Sequence, residues 1–214
     1  MSEKARLRRE LLAARRLLTG EDAGNAATVL SRSALDLPEL AGARTVAAYV
    51  SVGSEPGTRV LLDALRARGV RVLLPVLLPD NDLDWSAYEG ADRLVRAGRG
   101  LLEPDGERLG RDAVLEADAV LLPGLAVDAR GMRLGRGGGS YDRVLARLTA
   151  AGAHPALIVL LYDDEVVARV PVEPHDHPVD VVVTPAATRR TGRTAPGEGG
   201  AEPGTGRMEP GTER

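Results

Sequence analysis

The stretch that decides the fold is Thr45 to Val76, TVAAYVSVGSEPGTRVLLDALRARGVRVLLPV. Its two ends, Thr45 to Val52 and Val70 to Val76, are apolar runs rich in strand-forming residues. Between them, apolar residues recur at helical spacing from Val60 to Leu65, and Gly69 ends the predicted helix. Strand, helix and strand in this order form a βαβ unit, which favours a parallel sheet with a right-handed crossover.

The rest of the chain continues this alternation of strands and helices. Amphipathic spacing predicts a first helix from Lys4 to Leu18, and a later helix is predicted from Tyr141 to Leu148. Arg99 to Arg111 is interpreted as a loop. The alternation predicts an α/β fold, a three-layer sandwich with a largely parallel sheet. The remaining predicted strands are Asp84 to Tyr88, Asp118 to Leu122, Leu157 to Leu161 and Val179 to Val183.

The domain organisation is predicted to be one α/β domain, residues 1–188, followed by a tail, residues 189–214. A chain of 214 residues fits one ordinary domain with length to spare. The tail has almost no large apolar residue, and Pro196, Pro203 and Pro210 recur at a seven-residue period. Because such a composition cannot offset the entropy of ordering, we expect the tail to be disordered.

The composition excludes several classes of protein. The chain has no cysteine, which removes disulfides, thiolate metal sites and a cysteine nucleophile. A net charge of −3 and an aromatic content of 2% argue against nucleic-acid binding. No apolar run approaches the ~20 residues of a membrane span, and the N-terminus resembles no signal peptide. We therefore expect a cytoplasmic monomer that acts on small molecules, with no membrane or nucleic-acid partner.

The most informative segment for function is Pro123 to Arg143, PGLAVDARGMRLGRGGGSYDR. Its glycines lie between a predicted strand and a predicted helix, where backbone N–H groups can approach a phosphate. Arg133 and Arg136 supply positive charge for the same anion. The segment matches neither the P-loop nor the dinucleotide-binding pattern, and a flexible surface loop is the alternative interpretation. The six glycines are Gly124, Gly131, Gly135, Gly137, Gly138 and Gly139.

Four charged residues outside the glycines are candidates for ligand or metal binding. Lys4 and Arg8 lie four residues apart and could reach one phosphate chain, although a solvated helix face is the alternative. Asp142 could bind Mg²⁺ or complement the helix dipole. Glu55 could pair with a polar ligand or cap a helix.

A second metal candidate, Asp180, precedes a buried strand and could complete a divalent-cation site with Asp142. His175 and His177, on a Pro-rich loop with no clear third ligand, are interpreted as surface residues. His154 is interpreted as structural.

Several motifs in this order resemble the 5-formyltetrahydrofolate cyclo-ligase family over roughly residues 3–186. Two positions depart from the family pattern: Ser140 stands where an aromatic residue is common, and Val127 where a Phe usually precedes Asp128. The matching motifs are Lys4-x-x-Leu7-Arg8, Ser54-Glu55-Pro56-Gly57-Thr58, Glu103-Pro104, Gly131 to Arg143, and Val170-Pro171-Val172 through Asp180.

The resemblance implies the fold shared with certain sugar-phosphate isomerases and CoA transferases. It also implies an ATP- and Mg²⁺-dependent conversion of 5-formyltetrahydrofolate to 5,10-methenyltetrahydrofolate, with Arg133 and Tyr141 as catalytic residues. Reduced folate would contact Val50, Glu55 and residues Arg136, Gly137, Gly138, Gly139 and Ser140. Mg²⁺ would be held by Asp142 and Asp180. ATP would contact Lys4, Arg8, Arg133, Leu134, Gly135, Arg136, Gly137, Gly138, Gly139, Ser140 and Tyr141.

Two alternatives remain open from the residues alone. A noncatalytic regulator could use the glycine-rich segment Pro123 to Arg143 to bind a nucleotide or folate. A sugar-phosphate isomerase would bind phosphate without ATP, although the paired carboxylates weigh against it.

Overall fold

The computed structural model describes residues 2–173 and 176–191 of the chain. None of the helices in this part is long and apolar enough to cross a bilayer. The helices are α1 (Glu3–Arg15), α2 (Gly20–Leu35), α3 (Pro38–Ala41), α4 (Arg59–Ala67) and α5 (Ser140–Ala150). The strands are β1 (Thr45–Ala47), β2 (Arg71–Leu77), β3 (Leu83–Ala87), β4 (Leu94–Arg96), β5 (Leu102–Pro104), β6 (Ala119–Leu122), β7 (Ala126–Asp128), β8 (Arg133–Leu134), β9 (Ala156–Leu160), β10 (Val166–Val167), β11 (Val181–Val183) and β12 (Thr188–Arg190).

The main sheet has seven strands in the order β12-β11-β9-β6-β1-β2-β3. The five central strands are parallel, and β3 and β12 pair antiparallel at the two edges. Helix α4 connects the parallel pair β1 and β2, which confirms the predicted βαβ unit.

Apolar side chains cover both faces of this sheet. Leu30 of α2 and Leu61 of α4 pack in the cluster on one face, and Leu145 of α5 packs with Trp85 in the cluster on the other. The predicted three-layer α/β sandwich with a largely parallel sheet is therefore confirmed.

Several element bounds differ from the sequence-based prediction. The first helix ends at Arg15 rather than at Leu18, and α2 was not predicted. The segment from Arg99 to Arg111 is not entirely loop, because it contains β5, which pairs with β4. Strand β12 continues the sheet past residue 188, so the sheet extends beyond the predicted domain boundary. Most of the predicted tail, residues 192–214, and His175 lie outside the described residues.

The glycine-rich segment is not one continuous loop, because β7 and β8 form an antiparallel hairpin within it. Asp128, whose side chain is fully buried, holds the turn of this hairpin. Its carboxylate accepts hydrogen bonds from the backbone N–H groups of Arg130 (2.9 Å), Met132 (3.2 Å) and Val170 (3.0 Å). Gly131 has φ +80°, and a Cβ there would lie 2.7 Å from the carbonyl oxygen of Val179. The hairpin is therefore fixed in the structure by one buried carboxylate and one close backbone approach.

We expect Asp128→Asn to destabilise the protein by about 2 kcal/mol or more, because an amide cannot replace a carboxylate that accepts bonds from several N–H groups. Burial raises the pKa of Asp128, but the bonds from Arg130 and the backbone outweigh it and hold that pKa below its ordinary value. A lowered folded-state pKa stabilises the fold above the unfolded-state value, about 4, and this contribution is lost as the pH falls through the folded pKa.

Urea unfolding from pH 7 down to pH 3 tests this prediction, with the exposed Asp36→Asn as the control. The stability gap between Asp128→Asn and the unaltered protein should narrow as the pH falls. A gap that stays constant over this range would contradict the assigned role of the carboxylate.

Candidate active site

A cleft of about 730 Å³ lies at the carboxyl ends of β1, β2 and β6. Residues that follow these strands line it, including Tyr49 and Val50 after β1 and Pro123 and Gly124 after β6. The carboxyl edge of a parallel sheet is where open α/β folds bind their ligands, because the loops there converge. The cleft is therefore the candidate active site.

One wall of the cleft is a glycine cradle, Gly135 to Gly139, which joins β8 to the N-terminus of α5. Gly137 (φ +92°) and Gly139 (φ +74°) adopt backbone conformations that other residues rarely adopt. Arg8 of α1 donates a hydrogen bond from Nε to the carbonyl oxygen of Gly135 at 2.8 Å. The first N–H groups of a helix have no partner within that helix, so the cradle and the start of α5 suit an anion.

Arg133 supplies a buried positive charge behind this cradle, with only 7% of its side chain exposed. Its Nη1 donates to the carbonyl oxygen of Pro123 at 2.9 Å, and its Nη2 lies 3.3 Å from Oδ1 of Asp142. Its Nε is buried without a hydrogen-bond partner, and burial lowers the pKa of its guanidinium. Because Asp142 is 42% exposed, the buried charge of Arg133 is only partly compensated. An anion in the cleft would complete that compensation.

Glu55 lies beside the cradle, and its side chain is 10% exposed. It does not cap α4, which begins at Arg59; its Oε2 accepts a hydrogen bond from the backbone N–H of Val52 at 2.8 Å. Its Oε1 lies 3.0 Å from Nε of Arg136 in the cradle. Tyr141 has a buried hydroxyl without a partner, and burial raises its pKa. The cleft therefore holds a carboxylate and a neutral phenol close to the glycine cradle.

Lys4 also lines the cleft, and its side chain is 13% exposed. Its Nζ is 2.8 Å from Oε2 of Glu173 and 2.7 Å from Oδ2 of Asp176. Burial lowers the pKa of Lys4, but the hydrogen bonds to Asp176 and Glu173 outweigh it and raise that pKa above its ordinary value. Lys4 is therefore a charged residue of the cleft that is held by two carboxylates.

The remaining wall of the cleft is apolar. Leucine and proline side chains from β2, β3, β5 and the residue before β5 form it. Glu103 accepts a hydrogen bond from the backbone N–H of Leu77 at 2.9 Å. A cleft with one charged wall and one apolar wall suits a phosphate-bearing ligand beside a flat organic one. The apolar wall comprises Pro75, Leu77, Leu83, Leu101 and Leu102.

Comparison with known proteins assigns this arrangement to a family. The profile that describes the 5-formyltetrahydrofolate cyclo-ligase family matches residues 1–185. The chain belongs to the 5-formyltetrahydrofolate cyclo-ligase family. The predicted resemblance is thereby confirmed.

Individual members of the cyclo-ligase family support this assignment. The chain is 47% identical to a 5-formyltetrahydrofolate cyclo-ligase from Mycolicibacterium smegmatis over 147 residues, which cover 66% of this chain and 74% of the relative. It is 32% identical to the Escherichia coli enzyme of that name over 174 residues, which cover 80% and 94% of the two chains. The solved structure of an Aquifex aeolicus 5,10-methenyltetrahydrofolate synthetase matches with a TM-score of 0.76 at 28% identity, covering 92% of this chain and 98% of that one.

The structure brings all but one of the predicted site residues to the cleft of this family member. The residues that line it are Lys4, Arg8, Val50, Glu55, Arg133, Leu134, Gly135, Arg136, Gly137, Gly138, Gly139, Ser140, Tyr141 and Asp142.

Asp180 is the exception, because it precedes β11 and therefore lies at the amino edge of the parallel sheet. Its Oδ2 accepts a hydrogen bond from the backbone N–H of Leu157 at 2.8 Å. The structure thus does not bring Asp180 together with Asp142.

Sequence reasoning missed Asp176, which lines the cleft in a segment interpreted as a surface loop. Its place inside the last matching motif was the available signal. Glu103, quoted for the resemblance without a role, and Tyr49 also line the cleft.

Gly137→Ala and Gly138→Ala form a matched test of the cradle. An alanine at position 137 would have to adopt φ +92°, and its Cβ would lie 3.4 Å from Cζ of Arg8. A Cβ at position 138 would meet no atom within 4 Å. We expect Gly137→Ala to cost about 1–2 kcal/mol of folding free energy. Gly138→Ala should change it by less than about 0.5 kcal/mol. Thermal unfolding measures both, and equal shifts in Tm for the two variants would contradict this backbone geometry.

Proposed function

We propose that this chain converts 5-formyltetrahydrofolate to 5,10-methenyltetrahydrofolate in an ATP- and Mg²⁺-dependent reaction that releases ADP and phosphate. The observation that carries the proposal is the buried guanidinium of Arg133, whose positive charge is only partly compensated by Asp142. It lies behind a glycine cradle that faces an apolar wall. Membership of the cyclo-ligase family supports the choice of substrate.

The charged wall supplies what phosphoryl transfer requires of a protein. Such a reaction depends on alignment and on neutralising the charge of the transferred group, with little covalent help. In the proposal, Lys4, Arg8 and Arg133 bind the phosphates of ATP. The N–H groups of the cradle hold the γ-phosphate, and Arg133 stabilises the charge that develops on it. Since Arg133 is already buried, it does not have to be desolvated when ATP binds.

The folate would lie between Glu55, Val50 and the apolar wall. Its formyl oxygen attacks the γ-phosphorus, the bond to the bridging oxygen breaks, and ADP leaves. The N10 nitrogen then attacks the formyl carbon, loses its proton, and the phosphate departs with the former formyl oxygen to close the ring. Glu55 is suited to accept a hydrogen bond from an N–H group of the folate, and the Tyr141 hydroxyl can donate one to the transferred group.

Mg²⁺ fits this cleft as an ion shared with the nucleotide. Residues 2–173 and 176–191 contain no cluster of three or more side chains that could hold a metal ion. Mg²⁺ is usually bound by one or two carboxylates together with substrate phosphates. Asp142 and Asp176 line the cleft, and both act on the charge of Arg133. In the proposal these two carboxylates hold the ion, which supplies further neutralisation of phosphate charge.

The experiment that tests the proposal follows the methenyl product by ultraviolet absorbance. Purified protein is mixed with 5-formyltetrahydrofolate and Mg²⁺, with ATP or with ADP as the control. Product that forms only with ATP, with one phosphate released for each product molecule, is the expected result. ATP binding without product would overturn the proposed catalysis in favour of a noncatalytic regulator.

The proposed metal ligand Asp142 is tested by Asp142→Asn, with Asp180→Asn as the control for a carboxylate outside the lining of the cleft. We expect Asp142→Asn to raise the Mg²⁺ concentration for half-maximal rate by about tenfold or more, as the loss of a carboxylate ligand from a weak oxygen site suggests. Asp180→Asn should leave this requirement unchanged, because Asp180 lies at the other edge of the sheet. Its amide oxygen is a weaker acceptor than the carboxylate for the backbone N–H of Leu157, which should lower the Tm slightly. A raised Mg²⁺ requirement in Asp180→Asn alone would contradict the assignment.

A further inference from the structure

Helix α1 carries Lys4 and Arg8 into the cleft, and its last residue, Arg15, is anchored in the interior. Arg15 and Glu165 form an ion pair in which 1% and 2% of the two side chains are exposed. Nε of Arg15 lies 2.5 Å from Oε1 of Glu165, and Nη2 lies 2.9 Å from Oε2. The two parallel contacts give the guanidinium one fixed orientation.

The same guanidinium also reaches the wall of the cleft. Nη2 of Arg15 donates to the carbonyl oxygen of Gly124 at 2.7 Å. The preceding carbonyl, that of Pro123, accepts the bond from Nη1 of Arg133. Two consecutive carbonyl groups after β6 are therefore held by buried guanidinium groups from two different elements. These contacts link the position of α1 to the position of Arg133, the buried positive charge of the cleft.

Glu165 is itself held in place, so that the anchor is rigid. Its Oε2 accepts a hydrogen bond from the backbone N–H of Tyr162 at 3.0 Å, and Cζ of Arg15 lies 5.8 Å from the centre of the Tyr162 ring. Burial lowers the pKa of Arg15, but Glu165 outweighs it and raises that pKa, with a smaller contribution from Glu55 in the cleft. The positive charge of Arg15 is thus permanent and is felt on the Glu55 side of the cleft.

We propose that Arg15 is a positioning residue, which fixes the distance between α1 and the segment Pro123–Gly124 after β6. This distance places Lys4 and Arg8 where they meet the triphosphate of ATP. The inference rests on the proposed function, since it assumes that ATP is the ligand. A guanidinium can bond a carboxylate with two nitrogens and a third oxygen at the same time, which neither a lysine nor an apolar side chain can do.

Stability and positioning can be separated, because a buried ion pair adds little stability compared with well-packed apolar residues of similar size. Arg15→Met leaves Glu165 as an unpaired buried charge, and a large fall in Tm is expected. The double variant Arg15→Met/Glu165→Met removes that charge and should recover most of the Tm. Both variants lack the bond to Gly124, so positioning remains lost in both. The exposed neighbour, Arg16→Met, is the matched control.

The inference is tested by isothermal titration calorimetry, in which each variant is titrated with Mg²⁺-ATP and, separately, with 5-formyltetrahydrofolate. The titrations are carried out at a temperature well below the lowest Tm among the variants. We expect both Arg15 variants to bind ATP about tenfold or more weakly, as misplaced ligand groups suggest, with a much smaller change for the folate. Arg16→Met should match the unaltered protein. If the double variant recovers its ATP affinity together with its Tm, the pair acts through stability alone and the inference is overturned. Absence of ATP binding by the unaltered protein would instead overturn the proposed function, and this inference with it.

Discussion

The carbonyl groups of Pro123 and Gly124 accept hydrogen bonds from the guanidinium groups of Arg133 and Arg15, and the rest of the site depends on this pair of contacts. The two arginines come from the β7–β8 hairpin and from α1, while the carbonyls follow a central strand of the sheet. Buried carbonyl groups require donors, and buried guanidinium groups require acceptors. These contacts join three separate elements around the cleft, although Nη1 of Arg15 and Nε of Arg133 stay buried without a hydrogen-bond partner.

The parallel sheet sets which residues can share the cleft. Segments after β1, β2 and β6 converge at one edge, which brings Glu55 near the cradle although 80 residues lie between Glu55 and Arg136 along the chain. The same rule excludes Asp180 from the cleft, because a residue directly before a parallel strand lies at the amino edge of the sheet, opposite the cleft. Asp176, only four residues earlier, lines the cleft, where its carboxylate contacts Lys4.

Much of the fold could be predicted because its central strands are short apolar runs with clear boundaries. The failures have physical causes. Helix α2 contains Leu30 and several alanines but few large apolar residues, so its helical period is weak. Strands β7 and β8 have three and two residues, too few for an alternating pattern, and tertiary contacts of Asp128 rather than local propensity hold them. The cradle residues were predictable because glycines beside arginines leave a local signal. Lys4 pairs with Asp176 across 172 positions, a contact that no local pattern contains.

The two positions that depart from the family pattern have different consequences in this fold. Val127 lies in β7, opposite Arg133 of β8, and its side chain is fully buried in the core cluster of Trp85 and Leu145 rather than in the lining of the cleft, so a smaller side chain there is a matter of core volume. Ser140 lines the cleft at the first position of α5, where a serine replaces aromatic surface with a small hydroxyl. Since the facing wall is built from leucines and a proline, the aromatic side chains that line the cleft among the described residues are those of Tyr49 and Tyr141.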